Sequence, residues 1–358
     1  MKIKKLYLKN FRNHEDLLIN FSDDITFIFG DNGLGKTNIL EAIYFISTTK
    51  SLKADVDKDL IKHEANFLIS QAIISDEEDQ YNLEVSLDCI HSTNNRSIKK
   101  VKINQVPKSI TSFAGKLKSV LFTPADLDIL FSSSSMRRRY LDTIFYQISE
   151  EYKHTIINYT KALKQRNKIL DLYKETKQGI EQLDIWTEIL MKEGKIIQKY
   201  RDKFFEFFSE NLNSLYEKLE IKDLNLKIKY IKSEASLENF SLYKNKELYT
   251  GNTAVGPHKD DFEIIYNHTD VSKFGSRGQQ RLAISILKFM ELDFIFSETN
   301  QKPILLLDDI FSELDDKNKN SILNIIKNQQ TIVTSVYKIP EIESFSAQIV
   351  DIKKLVNR

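Results

Sequence analysis

The sequence predicts an α/β protein of mixed sheets and helices with an inserted α-helical domain, and three observations predict it. Residues 25–46, ITFIFGDNGLGKTNILEAIYFI, pass from a β-branched, aromatic run through a glycine-rich loop into apolar positions of helical period, Ile39, Leu40, Ile43 and Ile46. Residues 304–307 are consecutive large aliphatics closed by Asp308 and Asp309, the pattern of a central parallel strand delivering acids to its C-terminal end. Residues 134–220 hold no proline and only two glycines and are helically periodic throughout.

In chain order, Ile3, Leu6 and Leu8 alternate as a first strand, residues 10–13 turn, and Leu17–Phe21 and Ile25–Phe29 follow as strands. After the first helix, 47–66 is polar and irregular. Phe67–Ser75 and Tyr81–Leu87 read as an antiparallel pair, and Ser97–Ile103 with Asn104-Gln105 as another hairpin. Residues 119–131 return to an apolar strand and a proline-interrupted turn. A helix is expected near 150–173, then one long or two consecutive helices to about 219. Strand signals resume at Leu224–Ile231 and Phe262–Ile265, an apolar helix follows Gln280, Thr331–Ser335 is a short buried strand, and 348–355 an edge strand.

At 358 residues the chain is long for one core. The expected division is 1–133 as a first lobe, 134–222 as the helical insertion and 223–358 as a second lobe. A mean hydropathy of −0.37 and the lack of an apolar run near twenty residues exclude a helical membrane span. MKIKKLYLKNF has no apolar export core, and the single Cys89 suits a reducing compartment, so a cytoplasmic location is expected. The net charge of +1 hides segregation: residues 134–178 carry ten Lys/Arg against five Asp/Glu.

Glycine marks the chemistry. Six of the ten glycines fall within 30–37, 256–261 and 275–281, pointing to three pieces of one site. Gly30, Gly35, Lys36 and Thr37 match the phosphate-cradling pattern G-x-x-x-x-G-K-[ST]. Curled backbone N–H groups and a helix N-terminus receive phosphates there. Lys36 reaches the β- and γ-phosphates of a nucleoside triphosphate, and Thr37 offers its hydroxyl to Mg²⁺. Asp308 would hold the same Mg²⁺, and Asp309 would polarise the attacking water. Ser276 and Gly278, opening a second apolar helix, form another anion-binding stretch that makes most sense against the γ-phosphate of a second subunit's nucleotide.

The order of these motifs resembles the ABC-type ATPases of the SMC class, and more finely the bacterial RecF family. NFRN at 10–13, GDNGLGKTN at 30–38, FTPADL at 122–127 and RRRYLD at 137–142 carry the resemblance, with GPHKDD at 256–261, GSRGQQR at 275–281 and LLLDDIFSELD at 305–315. It implies a P-loop ABC-type ATPase head. ATP contacts are implied at Gly30, Asp31, Asn32, Gly33, Leu34, Gly35, Lys36, Thr37 and Asn38, with Arg12 and Asn13 near the phosphates. Ser276, Gly278 and Gln279 would act across an ATP-dependent homodimer. The family further implies clamping of double-stranded and gapped DNA in recombinational repair, RecO and RecR partners, RecA loading, and nucleoid association. Asp309 stands where most ABC ATPases carry Glu, a departure RecF proteins share, and suggests a weak, DNA-dependent ATPase acting as a switch. Lys259 stands where Arg is common.

Several residues carry two readings. Arg137, Arg138 and Arg139 are either a solvated helix face or phosphate contacts to DNA. His258 could face the nucleotide, though a turn at Gly256-Pro257 with Asp260-Asp261 as a solvated strand start is the preferred reading. Trp186 and the aromatics of 204–208 read as core. A transporter ATPase subunit would need a shorter gap than the 240 positions (276 − 36) between Lys36 and Ser276. An SMC-like nuclease subunit would need an added metal module after residue 315, and a nucleoside kinase leaves SRGQQR unexplained.

Overall fold

The computed structural model describes residues 1–51, 56–76, 79–89, 97–219, 225–312, 326, 329–338 and 347–356. Residues 313–315 of the SELD segment and residue 224 lie outside the described residues. Two compact units emerge. One comprises Met1–Asp126, Ser214–Lys222 and Lys288–Arg358, the other Leu127–Asn213 and Asp223–Leu287. Packing therefore cuts the expected second lobe in two: 223–287 join the helical segment, and 288–358 join the first unit.

In the first unit, β1 (Lys2–Phe11) and β2 (His14–Asn20) pair antiparallel around the turn Arg12-Asn13. Strands β4 (Phe67–Ser75), β5 (Gln80–Asp88), β6 (Ile98–Ile103) and β7 (Val106–Lys108) extend them into a six-stranded sheet, ordered β2-β1-β4-β5-β6-β7. Asn104 and Gln105 take φ of 50° and 67°, the left-handed pair that a two-residue hairpin needs. The second sheet is wholly parallel, ordered β14-β3-β13-β12-β8. Its strands are β3 (Ile25–Phe29), β8 (Ser119–Phe122), β12 (Ile304–Asp308), β13 (Thr331–Ser335) and β14 (Gln348–Asp351). The expected edge strand is thus shorter than 348–355, because the chain turns into a helix at Ile352–Val356.

Helix α1 (Lys36–Thr48) is buried along nearly its whole length, in one core with residues of both sheets. A short helix α2 (Ile110–Phe113) leads to β8. The Gln330 side chain joins β13 to β1: its Nε2 donates to the carbonyls of Ile3 and Ser22, both at 2.7 Å, and its Oε1 accepts from the Ile3 N–H at 2.8 Å.

The second unit begins with α3 (Asp128–Phe131), α4 (Ser134–Ile148), α5 (Glu150–Thr176) and α6 (Leu183–Lys218). Helix α6 is one continuous element of 36 residues. Strands β9 (Leu226–Ile231), β10 (Asp261–Tyr266) and β11 (Thr269–Asp270) form an antiparallel sheet, with α8 (Val271–Phe274) and then α9 (Arg277–Thr299) following. Phe204, Phe205 and Phe208 are buried, in keeping with the core reading, whereas Trp186 is half-buried.

Helix α7 (Leu237–Thr250) was not foreseen, and its burial explains why: only Phe240 and Glu247 are buried, so it has almost no apolar periodicity. It is held by charge. Arg166 and Glu247, 2% and 0% exposed, pair at 2.7 Å, and the remaining Arg166 nitrogens donate to Thr187 and Thr253 hydroxyls at 2.9 Å. The guanidinium also covers the Phe240 ring at 5.0 Å. Removing one partner of such a pair strands a buried charge. Arg166→Met is expected to cost about 3–5 kcal/mol in urea unfolding, with most of the loss recovered in Arg166→Met/Glu247→Leu.

Candidate functional site

Strand β3 ends at Phe29, and the chain loops over to α1 with Gly35 at the helix N-cap, φ 90°. A Cβ at Gly35 would lie 2.4 Å from Asn13 Oδ1 and 2.5 Å from His14 Nε2, so both the conformation and the space demand glycine. The cap makes no side-chain hydrogen bond, which leaves the first N–H groups of α1 for a ligand. Lys36 Nζ folds over the loop and donates to the carbonyls of Gly30 at 2.6 Å and Asp31 at 2.9 Å. Burial pushes its ammonium below the ordinary value, against the pull of Asp309, Asp308 and Asp31.

Strand β12 lies between β13 and β8, as four consecutive aliphatics require, and ends at the buried Asp308. Thr37 Oγ1 donates to the Asp308 carboxylate at 2.8 and 2.9 Å, and Thr334 Oγ1 from β13 donates to the same group at 2.8 Å. A hydroxyl and a carboxylate meeting beside a phosphate cradle are hard oxygen donors suited to a divalent cation such as Mg²⁺. Asp309 adopts φ 50°, with its N–H donating to the Thr334 carbonyl at 3.0 Å and an oxygen 3.4 Å from Ser335 Oγ. That left-handed turn, which the sequence alone does not reveal, gives the two neighbouring carboxylates different surroundings.

Asn13 and Asn38 lie at the loop: Asn13 Nδ2 donates to the Gly33 carbonyl at 3.3 Å, and Asn13 Oδ1 accepts from Asn38 Nδ2 at 2.8 Å. Asp31, Asn32 and Gly33 are exposed and Leu34 is half-buried. Arg12 differs from expectation. Its guanidinium grips Glu41 at 2.8 and 2.9 Å and the Asp59 carbonyl at 2.7 Å, so its contact here is with α1. Sequence reasoning missed His14, whose Nε2 meets the Gly35 carbonyl at 3.0 Å, and Lys353, paired with Asp31 at 2.6 Å. Neither was signalled locally: by strand alternation His14 shares a face with the exposed Asp16 and Leu18, and Lys353 lies far from Asp31 in the chain.

In the second unit, Ser276 and Gln279 cap α9 reciprocally. The Ser276 N–H donates to Gln279 Oε1 at 2.8 Å, and the Gln279 N–H to Ser276 Oγ at 3.3 Å. Ser276, Arg277 and Gly278 are exposed. The GPHKDD turn is not solvated as expected. Asp260, 1% exposed, accepts from Arg201, Gln198, Tyr230 and the Ser233 N–H. His258 is structural, with Nδ1 2.6 Å from Tyr159 Oη and Nε2 3.1 Å from the Thr253 carbonyl.

Arg137 and Arg138 are engaged within the unit. Arg137 pairs with Asp261 through two nitrogens, one at 2.9 Å, and Arg138 donates to the Asp260 carbonyl at 2.9 Å. Their guanidinium groups are half-buried and used within the unit. Arg139 is half-buried as well.

Parallel sheet, phosphate cradle and the Thr37–Asp308 pair together define a P-loop protein, and a family model narrows the class: RecF/RecN/SMC N terminal domain, matching residues 2–352. Relatives named DNA replication and repair protein RecF include one from Lachnoclostridium phytofermentans, 38% identical over 93% of this chain and 92% of its own. Another, from Clostridium novyi, is 36% identical over the same shares. The chain belongs to the RecF family of DNA replication and repair proteins. A solved structure described as the recombination mediator protein RecF-ATP in the RecFOR pathway superposes with TM-score 0.85 at 31% identity, covering 94% of this chain and 92% of that one. An Smc head bound to the C-terminal winged-helix domain of ScpA, TM-score 0.53 at 18% identity, shares the fold. Among the described residues, no helix is long and apolar enough to cross a membrane.

Burial lowers the His258 pKa to about 4 from 6.5, so the unfolded chain binds more protons between those values and stability falls as pH drops through that window. Asp126, raised by burial to about 6, acts in the opposite direction. Urea melts at pH 7 and pH 5 should show His258→Gln losing less stability on acidification than the parent chain, by about 1–2 kcal/mol.

Proposed function

We propose that this chain binds Mg²⁺–ATP at the loop 30–38, dimerises upon it, and clamps double-stranded DNA near gaps as a slow ATP-dependent switch in recombinational repair. The observation that carries the reading is the Thr37 hydroxyl set against the Asp308 carboxylate beside an uncapped helix start. It is supported by the ATP named for the RecF structures that this chain resembles.

The N–H groups of the loop and the start of α1 receive the phosphates, and Lys36 moves its ammonium from two carbonyls to the β- and γ-oxygens. Thr37 and Asp308 hold the metal, which when bound offsets phosphate charge. Asp309 orients and polarises the attacking water. Its carboxylate is one methylene shorter than the Glu of most ABC ATPases and is fixed by a left-handed backbone, so hydrolysis is slow. Ser276, Gly278 and Gln279 complete the site of a second protomer. Ser276 and Gly278 are exposed at the start of α9 and accessible for it. RecO- and RecR-type mediators and a RecA-type recombinase are the partners, and the protein works in the cytoplasm on the nucleoid.

Sedimentation velocity should show ATP-dependent dimerisation, and ATP turnover should rise with duplex DNA; a monomer indifferent to both ligands would refute the clamp. Ser276→Arg should abolish dimerisation with ATP binding kept, and loss of binding instead would sink the in-trans assignment. For Asp309→Glu, turnover about tenfold faster is expected, equivalent to about 1.4 kcal/mol of barrier.

A further inference from the structure

The GPHKDD turn is built more heavily than a connection between α7 and β10 requires. Gly256 sits at φ 119°, and a Cβ there would lie 2.5 Å from Tyr159 Oη. His258 is clamped between Tyr159 and the Thr253 carbonyl. Arg201 Nη1 holds both the Pro257 carbonyl, at 2.7 Å, and Asp260, at 2.8 Å. Arg138 takes the Asp260 carbonyl, and Arg137 takes the Asp261 carboxylate. Between His258 and Asp260 stands Lys259, exposed, its side chain without a hydrogen bond or ion pair among the described residues. Every neighbour in the motif is fixed, and the one residue left to solvent is a cation.

Lys259 lines an open groove of about 760 Å³ together with Lys232 and Lys246. Lys246 lies over the Tyr243 ring at 5.7 Å, and Lys232 reaches Asp202 at 2.7 Å. Glu234 is a carboxylate on the same lining, so the groove is net positive. Asn239, Thr250 and Asn252 add neutral groups able to donate.

We infer that this groove is a contact for the phosphate backbone of duplex DNA, with Lys259 its fixed centre and Arg137, Arg138 and Arg201 the braces that hold the turn. Exposed lysines gain little from a small anion, because water screens each pair. A polyanion meets several at once and releases counterions from each, and its phosphates accept from neutral donors as well. This inference rests on the DNA-binding reading above.

The test is fluorescence anisotropy of a labelled duplex with the full chain and ATP, across a salt series. Lys259→Gln should weaken binding about three- to tenfold and flatten the log Kd against log salt slope by about 1, and Lys246→Gln/Lys259→Gln by about 2. Lys259→Arg should restore both, and ATP affinity should be unchanged in all three. Unaltered affinity and slope in the double variant, with the parent chain binding normally, overturns the groove assignment alone. Failure of the parent chain to bind duplex overturns this inference and the DNA-clamp reading together. Loss of polyglutamate binding with duplex binding intact would make the occupant an acidic protein and would equally overturn it.

Discussion

The Asp308 carboxylate is the point on which the first unit converges. It terminates a strand buried along its whole length, where a polar group is tolerated only when hydrogen-bonded. Two hydroxyls meet that demand, Thr37 from α1 and Thr334 from β13, so one acid ties the phosphate-binding helix to two adjacent strands. A shift of β12 by one residue would turn Asp308 away from both and place Leu307 against them. The geometry of the Thr37–Asp308 pair and the register of the sheet are therefore one constraint.

The same economy governs the second unit. Arg166 with Glu247, and Arg201 with Asp142 and Asp260, place guanidinium groups where aliphatic side chains could have packed. Buried pairs of this kind contribute little net stability over apolar packing, but they tolerate only one arrangement of their neighbours. Arg137 and Arg138 of RRRYLD act likewise on the GPHKDD turn. Their charge is spent on orienting a turn.

How much of this could be read beforehand follows from where the information lies. The strand–loop–helix of 25–46 and the acid-terminated β12 were legible because burial imposes continuous apolar runs and phosphate contact imposes glycine. The site's local members, Lys36, Thr37 and Asp308, came with them. Helix α7 was illegible because it buries only Phe240 and a paired Glu247, which leaves no period to detect. The Arg12–Glu41 and Lys353–Asp31 pairs join residues 29 and 322 positions apart (41 − 12 and 353 − 31), and no local pattern encodes such partners. The texture of the sequence changes at 222, whereas the packing into compact units changes at 287. Charge runs misled for a related reason: a sequence shows that Arg137 is basic but not that Asp261 awaits it.

The order of the parallel sheet bears on how the protein is made. Among the described residues, strand β3, which delivers the phosphate loop, pairs with β13 and β14, and β8 with β12. A ribosome has therefore emitted some three hundred residues before the loop's own strand can pair. Until then α1, buried along nearly its whole length in the finished fold, has the antiparallel sheet and β8 to cover it but neither β12 nor β13. Closure over such separations is slow and leaves sticky surface exposed meanwhile. The strand that carries the phosphate loop is thus among the last to be locked into its sheet, because its partners β13 and β14 lie far along the chain.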